Sequence, residues 1–174
     1  MLIEYIRIQN WRSFYGENDF LVSTNSEKNV TLIRAENGVG KTSLLAAINW
    51  CLFGILPAES EFEDPTSLVN KFAIDRDGEK TATVAVDFIH ERKHCRASRR
   101  YDQPTRTMHS LKLTELVEGG EVPSMSNPDR FVNSVIPKEM APHFFFYGEA
   151  TSRYTGSTGA RKFGEAVKGI LGST

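Results

Sequence analysis

The chain has 174 residues and a net charge of −1, from 21 lysines and arginines against 22 aspartates and glutamates. Hydrophobic residues make up 40% of it and charged residues 25%, the composition of one globular domain that can bury a core without disulfides. The near-zero charge excludes nucleic-acid binding through bulk charge alone, and because neither a membrane-spanning apolar run nor a signal-peptide layout is present, we predict a cytoplasmic protein with no membrane partner.

The first 55 residues predict a hairpin, a strand and a helix in that order. Apolar and polar residues alternate over 2–9, and a second apolar run follows at 19–22, as in a β-hairpin. The compact β-branched run at 30–34 predicts a core strand. From Lys41 the apolar residues recur about every 3.6 positions, which predicts a helix that ends at Gly54.

The rest of the chain predicts a sheet and further helices. Residues 57–80 form a polar connection with a short helix near 67–72. Alternating, strand-like runs indicate an antiparallel meander with one exposed face. These runs lie at 81–88, 93–101 and 108–117. A short helix is expected at 128–135 with Asn127 as its N-cap, and a helical stripe follows at 160–171.

The strongest chemical signal is the glycine-rich segment AENGVGKT, which lies between the predicted strand and the predicted helix. It matches the phosphate-loop pattern GxxxxGK[ST] except at the first glycine, which is alanine here. Its glycines let successive N–H groups surround a phosphate at a helix N-terminus. Lys41 would bridge β- and γ-phosphate oxygens, Thr42 would bind Mg²⁺, and Ser43 would contact the α-phosphate. The pattern predicts binding of a nucleotide with Mg²⁺ by Asn37, Gly38, Val39, Gly40, Lys41, Thr42 and Ser43, and the motifs around it decide that the nucleotide is ATP.

The motifs around this loop resemble those of one ATPase group. NWRSF at 10–14 is similar to the NFRSF motif of SMC/RecF-type, ABC-type ATPase heads, and the loop with its helix is similar to the same group. Near the other end, FFFYGE at 144–149, followed by 162–172, resembles the FFFFDGE…LLG segment of the DndD family of DNA sulfur-modification proteins and related SMC-like bacterial defence ATPases.

The resemblance implies an α/β P-loop NTPase fold. The chain would be a single ATP-binding lobe, an ABC-type ATPase N-terminal lobe over 1–174, with an antiparallel β meander packed beside the phosphate-loop strand and helix. Residues 1–55 would hold the hairpin, phosphate loop and first helix, and 56–122 the connection and meander. Residues 123–174 would hold a Q-loop-like segment and the start of a coiled-coil helix. Arg12 would approach the nucleotide phosphates or adenine.

The resemblance also implies partners, because the sequence contains neither the signature motif nor the acidic Walker B strand of such ATPases. Both would belong to a missing C-terminal ATPase lobe, so we do not expect efficient ATP hydrolysis by this chain alone, and no catalytic residue is assigned. The other expected partners are a second head in a head-to-head homodimer through ATP, DNA, and further defence or DNA-processing subunits.

The sequence offers few carboxylates that could bind Mg²⁺ in addition to the Thr42 hydroxyl. Tyr147 occupies the Q-loop position where many relatives have Gln or Asp, and a phenol is a poor Mg²⁺ ligand at neutral pH, so Glu149 is the candidate metal ligand there. Asp87 ends a run that resembles a Walker B strand. However, Phe88 stands in place of the expected Glu, and the run alternates like a half-exposed strand.

Basic residues cluster between 92 and 112, where Asp102 is the single acid. Strands can place such side chains along a DNA backbone, and solvated strand faces are the alternative. Side-chain alternation places Arg96 and Arg100 on one face and Arg99 on the other. The candidate DNA contacts are Arg92, Lys93, Arg96, Arg99 and Arg100.

The leading functional hypothesis is an ATP-binding lobe of an SMC-like ATPase that acts on DNA in anti-phage defence, DNA modification, restriction or repair. In it, ATP-dependent head dimerisation would gate DNA engagement. Two alternatives stay open from the sequence. One is a self-contained small P-loop kinase or NTPase with Asp87 as its metal ligand, and the other is a non-catalytic module that binds nucleotide or DNA.

Overall fold

The computed structural model describes residues 1–56, 68–123 and 126–145. The strands are β1 (Leu2–Gln9), β2 (Glu17–Leu21), β3 (Thr81–His90), β4 (Lys93–Asp102), β5 (Thr107–Met108), β6 (Lys112–Val117) and β7 (Gly120–Pro123). The helices are α1 (Lys41–Phe53), α2 (Lys71–Asp77), α3 (Pro128–Val135) and α4 (Ala141–Phe144), with a 3₁₀ turn at Lys138–Met140.

Within the described residues the strands form one antiparallel sheet in the order β2-β1-β3-β4-β6-β7, with β5 beside β4. The predicted hairpin is β1 and β2, and the predicted meander begins with β3 and β4, which pair along their whole length. Side chains alternate between the two faces, so that β3 buries Ala82, Val84, Val86 and Phe88 in the core. The predicted α/β fold class with an antiparallel meander is confirmed.

Helix α1 lies against β3 and β4 and has the predicted bounds. Gly40 precedes it at φ 115°, and Gly54 ends it at φ 67° while donating its N–H to the carbonyl of Trp50 at 2.8 Å. A left-handed glycine such as Gly54 commonly ends an α-helix. The thiol of Cys51 contacts backbone carbonyls of both central strands, and the helix is buried on nearly every side.

The predicted core strand at 30–34 is not formed. Val30 is 81% exposed and Leu32 87%, and no strand of the described chain pairs with this segment. A strand is stable only when its N–H and C=O groups find partners, so a correct strand composition is not sufficient.

Two smaller expectations differ in outcome. The helix expected near 67–72 begins later, at Lys71, because Asn70 caps it. The helix at 128–135 is confirmed with Asn127 as its N-cap. No helix in the described ranges is long and apolar enough to cross a bilayer. The predictions for Tyr147, Glu149 and the stripe at 160–171 lie outside the described residues.

Candidate nucleotide-binding site

The glycine-rich segment forms a loop directly before α1. Gly38 and Gly40 have φ values of 83° and 115°, which residues with a Cβ rarely adopt, so the two glycines are needed for this backbone path. The ammonium of Lys41 closes the loop by donating to the carbonyls of Ala35 at 2.8 Å and Glu36 at 2.6 Å. The lysine and most of the loop are exposed, so a phosphate can reach the loop.

A turn between β1 and β2, residues 10–16, packs against the start of α1. The indole N–H of Trp11 donates to the carbonyl of Ser43 at 3.1 Å, and the hydroxyls of Ser13 and Ser43 are 3.1 Å apart. A Cβ at Gly40 would lie 3.1 Å from the Ser13 Cβ and 3.3 Å from the Phe14 ring. This turn therefore requires glycine at position 40 and brings the predicted Arg12 segment to the loop.

The turn has an unusual backbone. Asn10 and Arg12 have φ values of 50° and 48°, in the left-handed region that non-glycine residues seldom occupy. Asn10 and Gly16 close the turn with two hydrogen bonds, of 3.0 and 2.9 Å. Below it, the rings of Trp11 and Trp50 stack with centroids 4.6 Å apart. The hydrogen bonds between Asn10 and Gly16 and the packing of Trp11 on Trp50 thus hold the turn in this conformation.

The remaining loop residues are arranged around the same helix start. Asn37 and Val39 are exposed at the loop tip, Thr42 is exposed in the first turn of α1, and Ser43 is buried beneath the 10–16 turn. Loop N–H groups at a helix N-terminus, a lysine and a threonine hydroxyl are donors and ligands suited to a triphosphate with Mg²⁺. The described ranges contain no cluster of three or more His, Cys, Asp or Glu that could hold a metal ion by itself.

Asp87 lies on the sheet face opposite α1. Its carboxylate accepts two hydrogen bonds from the guanidinium of Arg96, at 2.6 and 2.8 Å, and lies 3.7 Å from Arg7. Arg96 also pairs with Glu121, and these carboxylates, with Asp87 the main cause, raise the pKa of Arg96. Asp87 is therefore an ion-pair partner turned away from the phosphate loop, and the structure does not support the metal role considered for it.

The predicted basic face is partly neutralised. Lys93 pairs with Glu115 at 2.9 Å, a hydrogen bond that raises the lysine pKa, and Arg96 is held by Asp87 and Glu121. These acidic partners lie outside 92–112, on other strands of the sheet, so the sequence between 92 and 112 does not reveal them. Among the described residues, Arg92 and Arg100 are exposed and have no ion pair. The predicted face separation of Arg96 and Arg100 from Arg99 is confirmed by the burial pattern of β4.

Arg99 is 8% exposed and lies under the C-terminal end of α1. It donates to the carbonyls of Cys51 and His109 at 3.2 and 3.3 Å, and its third contact is the carboxylate of Asp129 at 3.2 Å. The guanidinium thus caps one carbonyl at the end of α1. Arg99 is buried and engaged within the chain, and its assignment as a DNA contact stays a prediction that this position does not favour.

The sequence also left three site residues unassigned: Trp11, Ser13 and Asn70. Trp11 and Ser13 flank Arg12 within the NWRSF motif, and that position was the signal available for them. Asn70 contacts the same turn from 58 residues away. A cap residue before a helix is visible in a sequence, but its second contact is not.

The loop and its helix define the class of protein, a P-loop NTPase, and the chain belongs to the AAA domain family, whose model matches residues 5–164. A solved structure described as "Structural biochemistry of ATP-driven dimerization and DNA stimulated activation of SMC ATPases" has the same fold, with a TM-score of 0.61 and 17% identity. The match covers 94% of this chain and 96% of that chain. No curated protein matches this chain. The described chain therefore shares the fold of that SMC ATPase structure.

Proposed function

We propose that this chain is the ATP-binding lobe of an SMC-like ATPase that acts on DNA. The observation that carries the proposal is the exposed phosphate loop at the start of α1, with Gly38 and Gly40 in left-handed conformations and Lys41 closing the loop. The loop N–H groups and Lys41 would hold the phosphates, with Arg12 approaching from the adjacent turn. Thr42 would bind Mg²⁺ through its hydroxyl, and Glu149 is the proposed carboxylate ligand.

A second lobe would complete the nucleotide site. The segment at 30–34 leads directly into the phosphate loop, yet Val30, Leu32 and Ile33 are exposed. This exposed apolar segment supports a further polypeptide segment, the C-terminal ATPase lobe, that pairs with 30–34.

Head dimerisation and DNA follow by analogy with the SMC ATPases that share the fold. In our proposal, ATP bound between two heads joins them head to head and gates DNA engagement, and hydrolysis requires the second lobe. Arg92 and Arg100 are the remaining cations for DNA. The DndD-like motif at 144–149 favours a role in DNA modification or anti-phage defence, in the cytoplasm, beside other DNA-processing subunits.

The first experiment measures ATP-Mg²⁺ binding by the chain and by Lys41→Ala. A charge-assisted hydrogen bond contributes about 1.5–3 kcal/mol, so we expect affinity to fall about ten- to a hundred-fold. ATP at about 100 times its Kd should stabilise the wild type by about 2.7 kcal/mol. Lys80→Ala is the matched control, a lysine beyond α2 and outside the loop. An unchanged melting temperature in millimolar ATP-Mg²⁺ would contradict the proposal.

Phosphate release separates this proposal from a self-contained kinase or NTPase. Phosphoryl transfer depends on positioned charges that the second lobe would supply, so we expect negligible turnover by the chain alone. Asp87→Asn should not alter that background, because Asp87 is engaged by Arg96 on the opposite face. Steady turnover of about one per second that Asp87→Asn abolishes would favour the self-contained enzyme.

A further inference from the structure

Asn70 is a buried polar residue that binds the turn carrying Arg12. It is 5% exposed, and its side-chain N–H donates to the Arg12 carbonyl at 2.5 Å. Its backbone N–H donates to the carbonyl of Asn10 at 2.7 Å, and the Arg12 N–H donates to the carbonyl of Leu68 at 2.9 Å. Residues 68–70 therefore hold both polar backbone groups of Arg12.

The same side chain also caps α2. Its oxygen accepts from the N–H groups of Phe72 at 2.9 Å and Ala73 at 3.3 Å. The amide thus uses its oxygen for the helix and its nitrogen for the turn. An aspartate or serine at this position would keep an acceptor for the helix, but the carboxylate has no donor, and the single hydroxyl of serine, on a shorter side chain, cannot occupy the positions of both the amide oxygen and the amide nitrogen. The need for asparagine comes from the turn.

The turn requires such support because Arg12 is at φ 48°. A non-glycine residue keeps this conformation only when its surroundings hold it there. On either side of Arg12, Trp11 and Ser13 contact Ser43 in the first turn of α1. A relaxed Arg12 backbone would therefore move the turn relative to the phosphate loop.

We propose that Asn70 is a positioning residue for the phosphate site, and this rests on the proposed function. Its amide donor fixes the Arg12 backbone, and through it the orientation of the Arg12 guanidinium toward an anion in the loop. A role limited to capping α2 would affect stability alone. A positioning role also makes ATP affinity depend on the amide, and only while the Arg12 side chain is present.

The test measures ATP-Mg²⁺ affinity, with the nucleotide-free melting temperature recorded for each variant. Asn70→Asp keeps a cap acceptor and removes the donor, and Asn70→Ser keeps a cap acceptor on a side chain too short to place its O–H where the amide nitrogen lies, so each should weaken binding about three- to ten-fold, the loss expected for one hydrogen bond. In the Arg12→Ala background, either change should alter affinity less than about two-fold, because coupled residues are not additive. Asn127→Asp makes the same substitution at the N-cap of α3 and should leave affinity unchanged.

Each other outcome overturns the inference. Weaker binding by Asn70→Asp but not by Asn70→Ser would attribute the effect to the added charge. Equal losses with and without the Arg12 side chain would indicate a general loss of structure, and unchanged affinity in both variants would leave Asn70 as a cap. If Asn70→Asp does not fold, the neutral serine variant decides. Absence of ATP binding in the wild type would refute the proposed function itself.

Discussion

Two segments flank the phosphate loop, and they differ in what holds them. The turn at 10–16 is bonded to α1 and to Asn70, and it buries Trp11 completely. The segment at 30–34 has three apolar side chains, as the turn does, but they are exposed, and the segment joins no sheet in the described chain. The comparison shows that apolar composition creates a tendency to be buried, whereas partners determine whether burial occurs. Groups without partners in this chain are the ones available to other molecules.

The largest expected effect tests this difference directly. Trp11→Ala removes a buried ring that stacks on Trp50 and a donor to Ser43, so the free energy of unfolding should fall by about 3–5 kcal/mol. Leu32→Ala, in the exposed segment, should change it by less than about 0.5 kcal/mol. Urea denaturation of both variants measures the two values. A Leu32 cost similar to that of Trp11 would show that 30–34 is packed within this chain.

A second prediction concerns the exposed segment and the proposed second lobe. Leu32→Lys should leave the stability of this chain unchanged but weaken its association with the polypeptide that carries the C-terminal lobe. Full burial of one leucine contributes about 1.5–3 kcal/mol, so the loss should be at least about ten-fold. Co-purification and titration calorimetry measure it. Leu21→Lys, also highly exposed but on the edge strand β2, is the control. Equal affinities for wild type and Leu32→Lys would contradict the pairing.

The sequence predicted the local features well and the non-local ones poorly. The bounds of α1, the hairpin and the caps at Gly54 and Asn127 depend on residues a few positions apart, so their patterns are readable in one dimension. The phosphate loop was likewise predicted from a local motif. The nearness of the NWRSF turn to this loop was predicted from the family resemblance. By contrast, the pairing of Arg96 with Asp87 depends on strand register, and the burial of Arg99 depends on where α1 lies. A strand at 30–34 would need a neighbouring strand to pair with, and no local sequence pattern shows whether such a strand is present.

A third prediction applies the same contrast to the basic face. Arg100 is exposed without an ion pair in the described structure, whereas Lys93 is paired with Glu115. Each cation that neutralises a duplex phosphate contributes about −0.9 to the slope of log affinity against log salt. Arg100→Gln should therefore lower that slope by up to about 0.9, and Lys93→Gln by clearly less. Fluorescence anisotropy with random-sequence duplex at several salt concentrations measures both slopes. Equal slopes for the two variants would show that ion pairing does not decide which cations meet DNA.

The smallest expected effect is in the partnered core, at Cys51. Burial raises the pKa of its thiol to about 12, and the pKa of Cys95 is also raised by burial. In the unfolded chain a thiol ionises near pH 8.5. The folded thiols therefore stay neutral, and their contribution to stability does not change with pH below about pH 7.5. As the pH rises through about 8.5 the unfolded state loses its protons first, so stability should decrease with rising pH.

The alkylation rate measures this protection, because the thiolate is the reactive form. At pH 8, iodoacetamide should modify neither Cys51 nor Cys95 in the folded chain and both in denaturant, as read by mass spectrometry. Leu32→Lys should leave this protection intact, because the side chain at position 32 is exposed and outside the core. Trp11→Ala should raise the alkylation rate of the folded chain, because it lowers the free energy of local opening. Rapid alkylation of Cys51 in the native chain would show that the contact between α1 and the central strands opens readily, and the contrast between the firmly held region and the exposed segment would then be one of degree.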